Sequence, residues 1–268
     1  MGQVHELAAR GFARHAQSYA RGRPEYPAAL DGWLRDGLGL CVTRAVLDLG
    51  AGTGKLTRRL LKTGAQVWAV DPVEEMLARL RQDFPEVDAR SGTAEAIPMS
   101  DASVDAVVCG QSFHWFATAA ALREIHRILR PGGHLGLVWN VRDESTEWAS
   151  ELTRILRPYQ GDAPRYSDGA WRKVFPAPGF GPLQEWRFAH EHSGPAEQVI
   201  VDRFLSVSFI AALDTAERGR VAMQLRNLIA RTPALSARPT ATVAYETLAL
   251  SCVRELQIRP ASRRGRSS

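Results

Sequence analysis

The chain has 268 residues, of which 45% are hydrophobic and 24% are charged, a composition that suits one large α/β domain with a full core. Most of its net charge of +5 comes from residues 259–268, which contain four Arg and no acidic residue and leave 30 basic and 29 acidic residues elsewhere. A body so close to neutral excludes a basic nucleic-acid groove, and we expect 259–268 to be a disordered basic tail.

The cysteines, the apolar runs and the first residues restrict the class of protein further. The three cysteines, at positions 41, 109 and 252, show neither a disulfide framework nor a zinc-binding spacing, so we expect no metal site. The sequence contains no apolar run of about 18 residues, which a membrane-spanning helix requires. The first residues also lack the charged-then-apolar layout of a secretion signal. These features predict a soluble, cytoplasmic protein.

The first predicted elements are helical. Residues 5–36 show a mixed helical pattern, which glycine and proline interrupt at 21–27. The stretch 12–27 is unusually rich in Tyr and Arg and contains Tyr19 and Arg23. On pattern alone it is a helix-loop-helix that packs on the edge of a sheet.

The stretch 46–61 predicts a strand, a tight glycine turn and a helix. Three glycines stand at every second position: Gly50, Gly52 and Gly54. Glycines adopt positive φ at low cost and allow a ligand to lie against the backbone. A P-loop is excluded, because it requires a glycine where Leu49 stands and a hydroxyl where Leu56 stands. A dinucleotide-binding turn requires G-x-G-x-x-G, and here the third glycine comes one residue early.

A second strand, 66–71, ends in an acid. Asp71 lies 21 residues after Gly50, a spacing that places a carboxylate at the strand tip, where it can accept both hydroxyls of a ribose. Asp71 and Pro72 also suit the start of the helix that we predict over 73–83, and both roles are compatible.

Further strands and helices alternate as far as residue 140. We predict strands at 87–90, 104–110 and 135–140, a helix at 118–129, and a helix-breaking turn at 130–133. Five strands that alternate with helices indicate a doubly wound parallel sheet. Ligands of such sheets bind at the carboxyl ends of the strands. The aromatic loop 111–116 falls there.

The rest of the chain is less regular. We predict a helix at 145–156, a polar segment rich in proline and glycine at 157–181, and a strand at 183–190. Helices follow at about 195–206 and 214–231. The stretch 240–253 predicts a final strand, although a helix is also compatible with it.

The G-x-G-x-G turn preceded by Leu-Asp-Leu resembles the first motif of class I S-adenosylmethionine-dependent methyltransferases, and the Arg-Pro-Gly-Gly turn at 130–133 resembles the same family. The resemblance is dense over 45–142 and elsewhere extends to the order of elements. It implies a mostly parallel, Rossmann-like sheet of seven strands, with an antiparallel seventh strand at the edge. It also implies S-adenosyl-L-methionine as the cofactor and a small-molecule methyl acceptor as the partner, in a monomer or a homodimer.

The resemblance also suggests how the chain is divided. We expect a single methyltransferase domain over 1–258, with an N-terminal helical cap (1–40) that folds over cofactor and substrate. The remaining parts are a cofactor-binding core (45–142), an inserted lid segment (143–181) and C-terminal strands and helices (182–258).

The cofactor-binding residues that the resemblance implies come from the glycine turn, the ends of the next strands and the cap. They are Asp48, Gly50, Ala51, Gly52, Thr53, Gly54, Asp71, Pro72, Met76, Thr93, Ala94, Glu95, Gln111, Tyr19 and Arg23. The family usually reads adenine with an acid followed by Ala. Here Thr93 takes the place of the acid, so adenine reading transfers to the Ala94 backbone and more loosely to Thr93 or Glu95.

The loop 111–116 supplies the candidate catalytic residues, His114 and Trp115. Its Phe-His-Trp sequence resembles branches that methylate carboxylic acids, in which a Trp indole N–H grips the carboxylate. An ionised carboxylate needs no base, whereas a phenol or a carbon acid does, and His114 is then the candidate. His114 is also compatible with a neutral packing role.

Several functions remain open at this point. The quinone C-methyltransferase branch shares the cofactor motifs equally well. A non-catalytic module that keeps the cofactor fold is an alternative from a different class. A nicotinamide-dependent oxidoreductase is disfavoured by the glycine spacing and by the lack of a proton-relay pair.

Overall fold

The computed structural model describes residues 23–256. The predicted contacts of Tyr19 and the predicted tail 259–268 therefore lie outside the described residues. Seven strands form one sheet in the order β3-β2-β1-β4-β5-β7-β6. In chain order they are β1 (Ala45–Leu49), β2 (Gln66–Asp71), β3 (Asp88–Ser91), β4 (Val104–Gly110), β5 (Leu129–Arg142), β6 (Gln184–Gly194) and β7 (Ala241–Val253). The first five strands pair in parallel, which confirms the predicted Rossmann-like architecture.

Helices cover both faces of the sheet. They are α1 (Ala29–Gly32), α2 (Thr57–Leu61), α3 (Glu74–Asp83), α4 (Ala119–Ile128), α5 (Glu147–Leu156), α6 (Arg203–Leu205), α7 (Ser208–Ala211), α8 (Thr215–Arg231) and α9 (Pro233–Ser236). Two π-helical segments, Trp33–Gly37 and Glu197–Asp202, follow α1 and precede α6. Side-chain caps begin two of the longer helices: Thr118 Oγ1 accepts from Ala121 N–H before α4, and Asp214 accepts from Glu217 N–H before α8.

The central strands are apolar throughout because helices cover them on both faces. Every residue of β1 is buried. Its alternate residues pack into different cores, since successive side chains of a strand point to opposite faces. Leu47 and Leu49 face the core that contains α4, whereas Val46 faces the core that contains α1, α2 and the end of α3.

A third cluster lies under the C-terminal helices. It contains residues of α5, of the π-helical segment Glu197–Asp202, of α6 to α9 and of the first half of β7. Trp115 packs against this cluster. The predicted lid segment contributes to the main core as well. Trp171 is 1% exposed, and its ring centre lies 4.6 Å from that of Trp139 on β5.

The position of β7 differs from the sequence-based prediction. β7 is antiparallel to β5 and to β6, which confirms the predicted direction. The predicted edge position is wrong, because β6 forms the edge and β7 lies between β5 and β6. The burial pattern gives the physical reason. Residues 247–252 are buried without alternation, as an interior strand requires, whereas β6 alternates between exposed and half-buried residues.

The start of β5 also differs from the prediction. The strand begins at Leu129 rather than at 135, so the turn-forming glycines fall inside it. The register with β4 shifts between Val104 and Ala106, and Gly132 has a φ of 79°. The glycines therefore form an irregularity that the pairing spans, and not a break between helix and strand.

Candidate functional site

A cavity of about 1280 Å³, counted to include its open mouth, lies at the carboxyl ends of β1, β2 and β4. The strand order reverses between β1 and β4, which is where parallel sheets bind ligands. Most of the predicted site residues line it. They are Arg23, Gly50, Ala51, Gly52, Thr53, Asp71, Pro72, Met76, Thr93, Ala94, Glu95, Gln111 and Trp115.

The glycine turn after β1 forms the floor of the cavity. Gly50 N–H donates to the Val70 carbonyl at 2.8 Å, which ties the turn to the end of β2. Gly50 has a φ of 72°, and a Cβ there would lie 2.5 Å from the Ser112 Cβ, so only glycine fits. At Gly52, with a φ of 56°, a Cβ would meet nothing within 4 Å. The missing side chain of Gly52 thus leaves open space beside the cavity wall.

Asp71 stands beside this space and is held from two directions. Its Oδ2 accepts from Gly52 N–H at 2.9 Å, and its Oδ1 accepts from Val73 N–H at 2.9 Å. Burial raises the pKa of Asp71 to about 6, and the two backbone donors act in the opposite direction. A carboxylate has about four lone-pair sites, so each oxygen can still accept from a ligand. The carboxylate is fixed in orientation and has free acceptor capacity.

The segment after β3 forms the neighbouring wall. Thr93 and Ala96 make an isolated antiparallel bridge, which closes a tight turn around Ala94. Thr93, Ala94 and Glu95 all line the cavity, and Ala94 is 4% exposed. The turn around Ala94 therefore forms part of the cavity wall.

The aromatic loop after β4 closes the opposite side. Gln111 has a φ of 58°, which is unusual for a residue other than glycine and is typical of functional sites. Its N–H donates to the Val138 carbonyl at 2.8 Å, and its Nε2 donates to the Asn140 carbonyl at 3.2 Å. Phe113 to Trp115 form one short helical turn, in which Phe113 is fully buried and Trp115 lines the cavity.

His114 is not part of the cavity lining, although its ring centre lies 5.3 Å from that of Trp115. Its Nδ1 accepts a hydrogen bond of 3.2 Å from the Trp139 indole N–H. Burial lowers the pKa of His114 to about 3, and the nearby positive charge of Arg23 lowers it further. The imidazole is therefore neutral at pH 7 and a weak base.

Two other predicted cofactor residues support the wall from behind and are not part of it. Asp48 is 0% exposed and accepts from Thr57 Oγ1 at 2.6 Å. Burial raises its pKa to about 7, although the hydrogen bond from Thr57 lowers it. Gly54 has a φ of 86°, and a Cβ there would lie 2.7 Å from the Phe84 ring, so this glycine is required for packing.

The predicted site residues did not include five polar residues of the lining: Tyr26, Lys55, Ser112, Asn140 and Arg203. Lys55 Nζ donates to Glu25 at 2.6 Å, and Asn140 Nδ2 donates to the Glu25 carbonyl at 3.2 Å. Asn140 lies near the end of β5, where the rule on strand ends could have found it. No sequence pattern pointed to Arg203, because it belongs to a helix that lies more than 60 residues after Asn140 in the chain.

Two negative findings concern residues 23–256. No helix in this range is long and apolar enough to cross a membrane. The same residues contain no group of three or more His, Cys, Asp or Glu side chains that could hold a metal ion.

Comparisons with known proteins agree on one family. Residues 47–137 match the methyltransferase domain model. A methyltransferase-like protein of Schizosaccharomyces pombe, C25B8.10, is 38% identical over 253 residues, which cover 94% of this chain and 98% of that protein. The methyltransferase Rv3342 of Mycobacterium tuberculosis is 41% identical over 247 residues, covering 91% and 94%. A solved structure described as a type II methyltransferase from Anaeromyxobacter dehalogenans has a TM-score of 0.63 at 23% identity, covering 87% of this chain and 97% of that one, and supports the fold.

Proposed function

The chain belongs to the class I methyltransferases, and we propose that it transfers the methyl group of S-adenosyl-L-methionine to a small-molecule acceptor. One observation carries the proposal. The open space at Gly52 adjoins the buried carboxylate of Asp71 in a cavity at the point where the strand order reverses. Residues from the turn after β1, the ends of β2 and β4 and the aromatic loop line that cavity together, as expected of a small-ligand site in a parallel sheet.

The residues present fit this cofactor. Asp71 would accept from the ribose hydroxyls, because both of its oxygens keep free lone pairs after the two backbone bonds. The turn 50–53 would lie against the amino-acid part, where the absence of a side chain at Gly52 admits it. The turn around Ala94 would contact the adenine. S-adenosyl-L-methionine supplies a methyl group on a positively charged sulfur, for which the protein needs to provide no covalent nucleophile.

The protein must align the acceptor with the methyl group and exclude water from the cavity. Aligned reacting groups can lower a barrier by about 7–11 kcal/mol. Tyr26, Trp115 and Phe116 line the cavity and would keep it dry, and Tyr26 is 3% exposed. The pair of Lys55 and Glu25 joins the segment before α1 to the turn after β1, so it holds the wall at this side of the cavity.

Within this proposal, a carboxylate is the favoured reacting group. It is already ionised at pH 7 and needs no general base. Trp115 lines the cavity and can direct its indole N–H or its ring at the acceptor, whereas His114 lies outside the lining. With a pKa of about 3, His114 is poorly suited to remove a proton from a hydroxyl or a carbon acid. The ring C-methylation alternative would require such a base and is less well supported.

A metabolite screen tests the proposed function. The purified chain is incubated with S-adenosyl-L-methionine and fractionated small-molecule extracts, and release of S-adenosylhomocysteine is measured, with mass spectrometry of the methylated product. Gly52→Val serves as the blank, because its side chain would fill the open space beside the turn. We expect release with at least one fraction for the wild type and none for the variant. A chain that binds the cofactor and never releases S-adenosylhomocysteine would instead be a non-catalytic module.

A further inference from the structure

One arginine of the cavity wall lacks a protein partner for part of its guanidinium. Arg203, the first residue of α6, lines the cavity, and its Nε and Nη1 are buried. Within the described range 23–256, neither nitrogen has a hydrogen-bond partner. Buried donors of a charged group are costly to leave unpaired. Since Arg203 lines the cavity, an anion bound beside its guanidinium would offset this uncompensated positive charge and gain affinity.

The surroundings of Arg203 add positive charge. The guanidiniums of Arg203 and Arg142 lie 5.3 Å and 4.8 Å from the centre of the Phe204 ring. Burial lowers the pKa of Arg142, and the charge of Arg203 contributes to the lowering. Arg23 comes close as well, since its Nη2 donates to the Ser206 carbonyl at 3.3 Å.

Few acids offset these guanidiniums. Glu144 pairs with Arg142 at 2.8 Å and also accepts from Thr153. The acidic side chains of the cavity wall, Asp71 and Glu95, follow β2 and β3 on the opposite side of the sheet order from Arg203. The acidic residues of the lining therefore follow β2 and β3, and the lining residue Lys55 is paired with Glu25. We call the part of the cavity at Arg203, where the C-terminal helices meet it, the basic side.

The basic side coincides with the predicted acceptor side. Phe204 belongs to the cluster under the C-terminal helices, and Trp115 packs against that same cluster. The helix that carries Arg203 begins as the π-helical segment Glu197–Asp202, and such segments are rare and are frequent at functional sites. The fold therefore brings a distant helix to the cavity at this point.

We propose that Arg203 binds an anionic group of the methyl acceptor, a carboxylate or a phosphate, and so fixes the class of acceptor as an organic anion. This inference rests on the proposed function. A guanidinium presents several N–H donors in a planar fork that matches both anions.

The anion that Arg203 holds is distinct from the group that is methylated. A carboxylate that becomes an ester loses its charge during the reaction. An arginine that held it would therefore stabilise the reactant more than the transition state and slow the reaction. An anion that stays charged contributes binding energy equally to both states, so Arg203 acts in recognition and positioning.

Three ligands of similar size test this directly: benzoate, phenyl phosphate and benzamide. Each is titrated into the protein loaded with S-adenosylhomocysteine. We expect at least one anion to bind about tenfold or more tightly than benzamide, and the better anion identifies the group. Arg203→Gln should remove this preference and leave the affinity for S-adenosylhomocysteine within about twofold. Arg203→Lys should keep part of the preference, because it retains the charge without the fork.

Arg220→Gln is the matched control, since Arg220 pairs with Glu217 on the exposed face of α8. Equal binding of anions and amide to the wild type would overturn the inference. A parallel loss of S-adenosylhomocysteine affinity in Arg203→Gln would also overturn it, because Arg203 would then hold the cofactor's own carboxylate. Absence of S-adenosylhomocysteine binding in the wild type would contradict the proposed function instead. Should Arg203→Gln not fold, the wild-type comparison and Arg203→Lys still decide.

Discussion

At the scale of single residues, two neighbours in one loop differ in what they can do. Trp115 lines the cavity, and His114 turns toward the sheet, where it accepts from the Trp139 indole. The two residues share the short helical turn at Phe113–Trp115, and their ring centres lie 5.3 Å apart, yet only Trp115 belongs to the cavity lining. The sequence made both residues catalytic candidates because it could not show which one lines the cavity.

This difference predicts an order of mutational effects. Trp115→Phe keeps most of the ring and removes the N–H donor, so kcat/KM for the acceptor should fall about ten- to a hundredfold if that donor grips an anion. His114→Ala should change the rate less, apart from any loss of folding stability. The wild-type rate should also show no decline through the usual histidine range as pH falls from 8 to about 6, because the pKa of His114 is about 3. The two variants and the wild type are assayed across pH on the acceptor that the screen yields. A larger loss for His114→Ala, with a rate that falls below pH 7, would restore the general-base model.

At the scale of elements, the turn after β1 combines two different requirements for glycine. Gly50 needs positive φ and also lacks room for a Cβ, whereas Gly52 needs positive φ and has open space. Gly132 in β5 has a φ of 79° and likewise meets nothing within 4 Å. Substitutions at these three glycines can therefore distinguish the cost of backbone strain, the cost of a steric clash and the loss of a ligand contact.

Three alanine substitutions exploit this. Gly50→Ala should destabilise the fold most, by roughly 1 kcal/mol or more for the backbone and about 1–3 kcal/mol for overpacking against Ser112. Gly52→Ala should cost only the backbone strain but weaken S-adenosylhomocysteine binding. Gly132→Ala, the control, should cost a similar strain and leave binding unchanged. Urea unfolding and calorimetric titration measure the two effects. An equal loss of S-adenosylhomocysteine affinity in Gly52→Ala and Gly132→Ala would show that the glycine turn does not contact the cofactor.

The first five strands, their parallel arrangement and the glycine turn were predictable because local signals and the alternation of strands with helices indicate them. Short apolar runs, helix-breaking turns and the distance from Gly50 to Asp71 all lie within about 90 residues of chain. The place of β7 was not predictable in this way. β7 pairs antiparallel with β5, a strand about 100 residues earlier in the chain. Because this contact is distant in sequence, the local pattern of β7 does not determine whether the strand lies at the edge or in the interior of the sheet. Arg203 was missed for the same reason, since α6 meets the cavity only through the packing of the C-terminal helices.

At the scale of the whole molecule, a buried carboxyl links stability to pH. Asp48 is 0% exposed, and in the range 23–256 its Oδ1 has no hydrogen-bond partner. Its pKa is raised from 3.8 to about 7, chiefly by burial. Between these two values the folded chain binds more protons than the unfolded chain at this site. The contribution of Asp48 to stability therefore decreases as pH rises from about 4 to 7.

Asp48→Asn isolates this contribution. The amide oxygen can still accept from Thr57, and the side chain no longer has to ionise in the core. The variant should therefore gain stability relative to the wild type as pH rises from 4 to 7, by at most about 1.4 kcal/mol per pH unit. Urea denaturation at a series of pH values gives the difference. A difference that does not change with pH would mean that the Asp48 carboxyl ionises as readily in the folded chain as in the unfolded chain.

The proposed function requires that the cavity bind S-adenosyl-L-methionine through Asp71 and the glycine turn. The most direct measurement is calorimetric titration of the wild type with S-adenosylhomocysteine and with NAD⁺, repeated with Asp71→Ala. Asp88→Ala, which removes an exposed acid paired with Arg90 on β3, is the control. We expect saturable binding of S-adenosylhomocysteine, little binding of NAD⁺, a loss of about 1–3 kcal/mol of binding free energy in Asp71→Ala and no loss in the control. Comparable binding of NAD⁺, or unchanged affinity in Asp71→Ala, would contradict it.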